Sequence, residues 1–151
     1  MVSEILLISS SSILGVFLGA QIAEAYLLVP YWKALPADEF FELHKVYGSK
    51  IHQFFAPLTI TATLLPLITV VYGIANHFHD PLLLGLMGIS TIAFFSTYFL
   101  YFEKANNSFV DRALCDEELS LELDRWGAWH WGRIFFELIA FVCALVLLAD
   151  F

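Results

Sequence analysis

The chain has 151 residues, of which 60% are hydrophobic and only 15% charged, with a mean hydropathy of +0.76. Ordinary soluble domains are about half apolar and a quarter charged, so this is the composition of a polytopic membrane protein. The net charge of −8 would repel anionic phosphates, which argues against a nucleic-acid partner.

A helix needs roughly 20 mostly apolar residues to cross a bilayer. Residues 5–29, 54–72, 82–102 and 126–149 meet that length and leave no room for a second domain. None shows the period-two alternation of a barrel strand, and lipid-exposed backbone has no third option. The expected architecture is an all-α, integral membrane four-helix bundle forming one domain over residues 1–151.

The first stretch has no basic residue before it, and its apolar run is too long for the core of a cleaved signal peptide. It is therefore expected to remain as helix one. Ser11, Gly15, Gly19 and Ala23 recur along it every four residues, a small-residue seam suited to close packing. Gln21 and Glu24 follow, one turn apart.

Between helices one and two, residues 36–48 read PADEFFELHKVYG. Pro36 and the acids behind it suit a helix start. Phe40, Phe41, Leu43, Val46 and Tyr47 then make a broad apolar face, which predicts an amphipathic helix at the membrane surface with His44 in water. His52 and Gln53 open helix two. The connection NHFHD, residues 76–80, holds a single H-x-H pair, His77 and His79, too little for a zinc set, and is read as solvated. Helix three closes on Tyr98 and Tyr101, with Glu103 and Asn106 after it.

Acidic residues gather between Asp111 and Asp124, a pattern read as a solvated face. Leu119, Leu123, Trp126, His130, Arg133 and Glu137 succeed one another at intervals of 4, 3, 4, 3 and 4, which is one helical stripe. Helix four is therefore expected to begin near Asp116 as a cytoplasmic extension before it reaches lipid. Cys115 in the loop and Cys143 deep in that helix are read as reduced thiols.

Six of the seven basic residues lie in two connections: Lys33, Lys45 and Lys50 in the first, Lys104, Arg112 and Arg125 in the third. Lys and Arg near helix ends favour the cytoplasm. Both basic loops are thus expected inside an inner or plasma membrane, with both termini outside.

With this orientation, a rise of ~1.5 Å per residue places Gln21, Glu24, His52, His130, Arg133 and Glu137 in the cytoplasmic half of the bundle. One charge at a helix centre costs about 2.5–3.5 kcal/mol. Glu24, Arg133 and Glu137 are therefore expected to face one another or a cavity, the planar guanidinium bridging both carboxylates. Such a trio is either an ion-pair lock or part of a site. His130 and His52, at matching depth, offer acid–base groups or metal ligands. Tyr31, Trp32, Tyr47, Trp126, Trp129 and Trp131 read as an interfacial belt, with Trp126 also suited to line a passage for a flat aromatic molecule.

Glu24 followed by Pro30 and the Leu35–Pro36 pair, an asparagine after helix three at Asn106 or Asn107, and W-x-x-x-H-x-x-R at Trp126, His130 and Arg133 resemble the anthrone-oxygenase-like family of small four-helix membrane proteins. The resemblance spans most of the chain, and the W-x-x-x-H-x-x-R piece is its most specific part. Characterised relatives oxidise anthrones to anthraquinones with molecular oxygen and no conventional cofactor. The resemblance implicates Asn106 or Asn107, Trp126, His130 and Arg133.

The first expectation is a membrane-embedded oxidoreductase or oxygenase acting on a lipophilic aromatic or phenolic molecule of anthrone or quinol type. His130, Arg133, Glu24 and Glu137 would be catalytic, and Asn106, Asn107, Trp126, Gln21 and Tyr101 would bind substrate. The second is a redox protein holding a single haem or metal ion through His52 and His130. The third is a non-catalytic accessory subunit, within a homo-oligomer or a larger membrane complex, docked through the acidic loop and the glycine seam.

Overall fold

A computed structural model describes residues 1–77 and 80–150, so His79 of the H-x-H pair lies outside the described residues. Helix α1, Val2–Ala23, runs through a π-helical turn, Glu24–Leu28, into α2, Val29–Ala34; α3 follows, Ala37–Ala75. Helix α4, Pro81–Thr97, likewise runs through a π turn, Tyr98–Phe102, into α5, Glu103–Val110, and α6, Asp116–Ala149, completes the chain. Four continuous helices result, Val2–Ala34, Ala37–Ala75, Pro81–Val110 and Asp116–Ala149, each long and apolar enough to cross a membrane. The protein is an all-α integral membrane bundle.

Local chemistry accounts for the boundaries. Leu35 is extended, with φ −77° and ψ 143°, as the residue before a proline is driven to be. Asp80 caps α4 by accepting from the Leu82 N–H at 2.8 Å, with Pro81 in the first helical position. At α6 the Glu118 carboxylate reaches back to accept from the Cys115 N–H at 2.9 Å. Pro30 crowds the carbonyl four residues earlier, that of Tyr26, which lies inside the first π turn.

Helix α1 packs on α3 and α6, and α4 packs on the same two, so α1 and α4 occupy opposite corners of a square. Neighbours run antiparallel. Gln21 meets Glu137 while Lys33 meets Asp124, and Ser10 meets Thr69 while Phe17 meets Phe55. Near the α3–α4 connection a Cβ on Gly73 would come within 2.9 Å of Leu84, so the missing side chain lets these helices touch. The two basic connections therefore share one end of the bundle and the termini share the other.

Two apolar cores fill the interior. Toward the termini, Leu7, Leu14, Phe17, Met87, Phe94 and Leu147 interlock. At the connection end, Trp32, Phe40, Phe102, Phe109, Leu123 and Trp126 form a second, largely aromatic core. Its rings meet edge to face, with Trp32–Trp126 centroids 5.6 Å apart and those of Phe40–Phe109 5.2 Å apart.

Three expectations change. The stretch at residues 36–48 is not a separate surface helix but the opening turns of α3, which is 39 residues long. No proline or cap interrupts the chain between Ala37 and Gly48, so the helical period continues, and Phe40 and Phe41 are buried in the second core. His44 is half-buried rather than wet. Its ring lies 4.1 Å from that of Phe40, and its Nδ1–H donates to the Phe40 carbonyl at 3.2 Å. Trp32 and Trp126 are core residues and not part of a belt, whereas Tyr31, Tyr47, Trp129 and Trp131 are exposed. Helix α6 does begin at Asp116. The small-residue seam packs only in part: Gly15 lies against Phe141, while Gly19 and Ala23 face outward.

Candidate functional site

Between the two cores lies a polar layer. Helix α1 and the turn after it contribute Gln21 and Glu24. The i, i+3, i+7 spacing on α6 contributes His130, Arg133 and Glu137 on a face that looks toward α1. Gln21 and His130 are 1% exposed, Glu137 0% and Glu24 7%.

The bonds within the layer fix several protons. Gln21 Nε2 donates to Glu137 Oε2 at 2.6 Å, which leaves Gln21 Oε1 and Glu137 Oε1 without partners. His130 Nε2 lies 3.0 Å from the backbone carbonyl of Gln21. A carbonyl only accepts, so the proton sits on Nε2 and, in the neutral ring, Nδ1 carries the lone pair. That Nδ1 is buried and unpartnered. Glu24 Oε2 stands 3.6 Å from Nε2. On the first π turn, the Val29 N–H reaches back five residues to the Glu24 carbonyl, so the widened backbone lies beside this carboxyl.

Three aromatic rings hold the imidazole and the guanidinium. Trp126 stacks on His130 with centroids 4.9 Å apart and planes 23° apart, and its Nε1–H donates to Asn106 Oδ1 at 3.0 Å. Phe102, on the second π turn, meets His130 edge-on at 6.3 Å. The Arg133 guanidinium carbon lies 5.4 Å from the Phe17 ring and 5.5 Å from that of Phe102. Both contacts are favourable for a cation in apolar surroundings.

Arg133 does not bridge the two carboxylates. Among the described residues no ion pair within 4.0 Å joins it to either one. Glu137 is held by Gln21 and Glu24 lies beside His130, so the guanidinium turns to α3, where Nη2 donates to Thr59 Oγ1 at 3.2 Å. Its Nε remains unpartnered.

The remaining expected residues divide clearly. Both asparagines are exposed on α5, but Asn106 belongs to the site through Trp126, whereas the Asn107 side chain has no hydrogen bond among the described residues. Tyr101 is occupied elsewhere: its hydroxyl donates to Glu122 Oε1 at 2.6 Å and its ring stacks on Trp129 at 5.0 Å. Among the described residues it shares no hydrogen bond or ring contact with the five polar residues. His52 is exposed on α3 and shares no bond or ring contact with His130, so the two do not assemble as paired ligands. No group of three or more His, Cys, Asp or Glu able to hold a metal ion occurs among the described residues.

Thr59, Phe17 and Phe102 escaped the sequence reading. Each sits in an apolar run whose periodicity reports its own helix face and nothing about the residue opposite. A separate cleft at the connection end, lined by Lys33, Leu35, Asp116, Leu119, Ser120 and Asp124, lies outside the layer and is spanned by the 2.7 Å Lys33–Asp124 pair. Comparison with family models, with curated proteins and with solved structures finds no match to this chain.

Proposed function

We propose that this protein is a membrane-embedded oxidoreductase of oxygenase type, acting on a lipophilic aromatic or phenolic molecule in the layer between its two cores. One observation carries the reading: His130 Nδ1 is a buried lone pair with no partner, while Nε2–H is held by Gln21 and faced by Glu24. A base so placed removes a proton from an acidic C–H or O–H of a bound substrate. The charge that then appears on the imidazole falls beside the Glu24 carboxyl. The unpartnered Arg133 Nε–H is a donor for the oxyanion left on the substrate, in surroundings where such a bond counts for more than in water. The electron-rich anion reduces molecular oxygen; for an anthrone, the CH2 carbon becomes a carbonyl with one oxygen atom and the other leaves as water. The W-x-x-x-H-x-x-R run and its resemblance to anthrone-oxygenase-like proteins support the same substrate class.

The six basic residues at the connection end support a topology with those connections in the cytoplasm of an inner or plasma membrane and the termini outside.

The test is oxygen uptake by the purified protein in nanodiscs, supplied with an anthrone and followed by the absorbance of the quinone. His130→Ala is expected to lower turnover by about 10²- to 10⁴-fold with helical content unchanged. Wild-type turnover in that variant would overturn the proposal.

A further inference from the structure

The polar layer is closed on most sides. The largely aromatic core seals the connection end and the other apolar core seals the end toward the termini. Along the α1–α6 seam, Gly15 lies against Phe141 and Gln21 is bonded to Glu137. Helix α3 is different. Its ends are anchored, Phe40 and Phe41 in one core and Ala62, Thr63, Pro66 and Thr69 in or beside the other. No residue from 42 to 61 is buried, and the stretch is held by half-buried side chains, Leu43 and Ile51 against one core and Phe55 and Leu58 against the other. At the same depth α1 buries Phe17, Leu18 and Gln21, and α6 buries His130, Ile134 and Glu137.

We infer that α3 is a gate between Glu42 and Thr61, bowing outward to let a lipophilic ligand pass between the bilayer interior and the polar layer. The inference rests on reading that layer as a binding site. Pro57 stands within the stretch, and its missing N–H leaves the Gln53 carbonyl without its helical donor, so the helix bends there most readily. Among the described residues a single hydrogen bond ties α3 to the layer, that from Arg133 Nη2 to Thr59 Oγ1, whereas the partners of Gln21, Glu24, His130 and Glu137 lie on the first and fourth helices. The Thr59 hydroxyl hydrogen is already given to the Phe55 carbonyl at 2.9 Å, so its oxygen acts as the catch for the guanidinium. Outside the gate Phe54 is 57% and Ile60 53% exposed, an apolar surface that acyl chains cover and from which a lipid-dissolved molecule arrives.

Distances between two spin labels test this, one at Phe54→Cys on α3 and one at Phe135→Cys on α6, in a Cys115→Ser, Cys143→Ala background in nanodiscs. Two separations are expected, the longer being the open form. Thr59→Val should raise the open population about fivefold, the shift that loss of one hydrogen bond produces. Pro57→Ala, which restores the helical N–H, should reduce it. A single narrow distribution in all three proteins, or a second population that neither substitution moves, would overturn the gate. The distances are read without substrate, so the two ideas fail separately: an inactive protein with two responsive populations refutes the oxidation and supports the gate, and an active protein with one population does the reverse.

Discussion

His130 donates its Nε2 proton to the backbone carbonyl of Gln21 at 3.0 Å, from the fourth helix to the first. Because the acceptor belongs to the main chain, the tautomer of the imidazole does not depend on the Gln21 side chain. That side chain has a second task, holding Glu137 at 2.6 Å. The two roles of one residue are therefore separable by mutation.

Gln21→Leu keeps the carbonyl and leaves the fully buried Glu137 without its donor. Unfolding in detergent should show a loss of about 1–3 kcal/mol, the penalty for an unsatisfied buried polar group. Adding Glu137→Leu, which replaces the stranded carboxyl with an apolar side chain, should restore part of that loss. If the double variant is less stable than wild type by the full sum of the two separate effects, the Gln21–Glu137 pairing is not what stabilises this level of the bundle.

Asn106 and Asn107 are adjacent in sequence but do different things. Asn106→Ala removes the acceptor for the Trp126 indole and frees the ring that stacks on His130, so under the proposed mechanism turnover should fall by about 10- to 100-fold through misplacement of the imidazole. The intrinsic fluorescence should shift as Trp126 loses its bond. Asn107→Ala should leave rate and spectrum as they are. Equal effects from the two substitutions would show that the Trp126 bond does not position the imidazole.

Arg133→Lys keeps the positive charge and discards the planar fork. The ammonium cannot lie flat between Phe17 and Phe102 or offer the equivalent of Nε–H, so turnover should fall by about 10²- to 10³-fold. On the proposed mechanism the lost donor serves the oxyanion and not the ground state, so the Michaelis constant should change less than the turnover number. A lysine variant with full turnover would mean that charge alone suffices at this position.

The four spans were legible because hydropathy over about 20 residues reports a bilayer crossing directly. The start of α6 at Asp116 was legible too, since a 4-3-4-3-4 stripe and the acids after Cys115 mark both face and end. His130 and Glu137 were correctly assigned inward for the same reason. The partner of Arg133 was not legible. Periodicity says which way a side chain leaves its own helix, whereas the choice of Thr59 over the carboxylates depends on Gln21 reaching Glu137 first. Phe40 and Phe41 misled in another way: an apolar face at an expected membrane surface has the same pattern as one that folds back against Phe109 and Trp126, and only tertiary packing separates the two.

The wide turns at Glu24–Leu28 and Tyr98–Phe102 each take up one residue more than a regular turn while the helix on either side keeps its course. Deleting a single residue inside either one converts it to an ordinary turn and leaves the flanking segments in phase, whereas the same deletion between Trp126 and Glu137 would rotate everything beyond it by about 100°. Natural variants of this chain that differ in length by one amino acid should carry the difference at these two places.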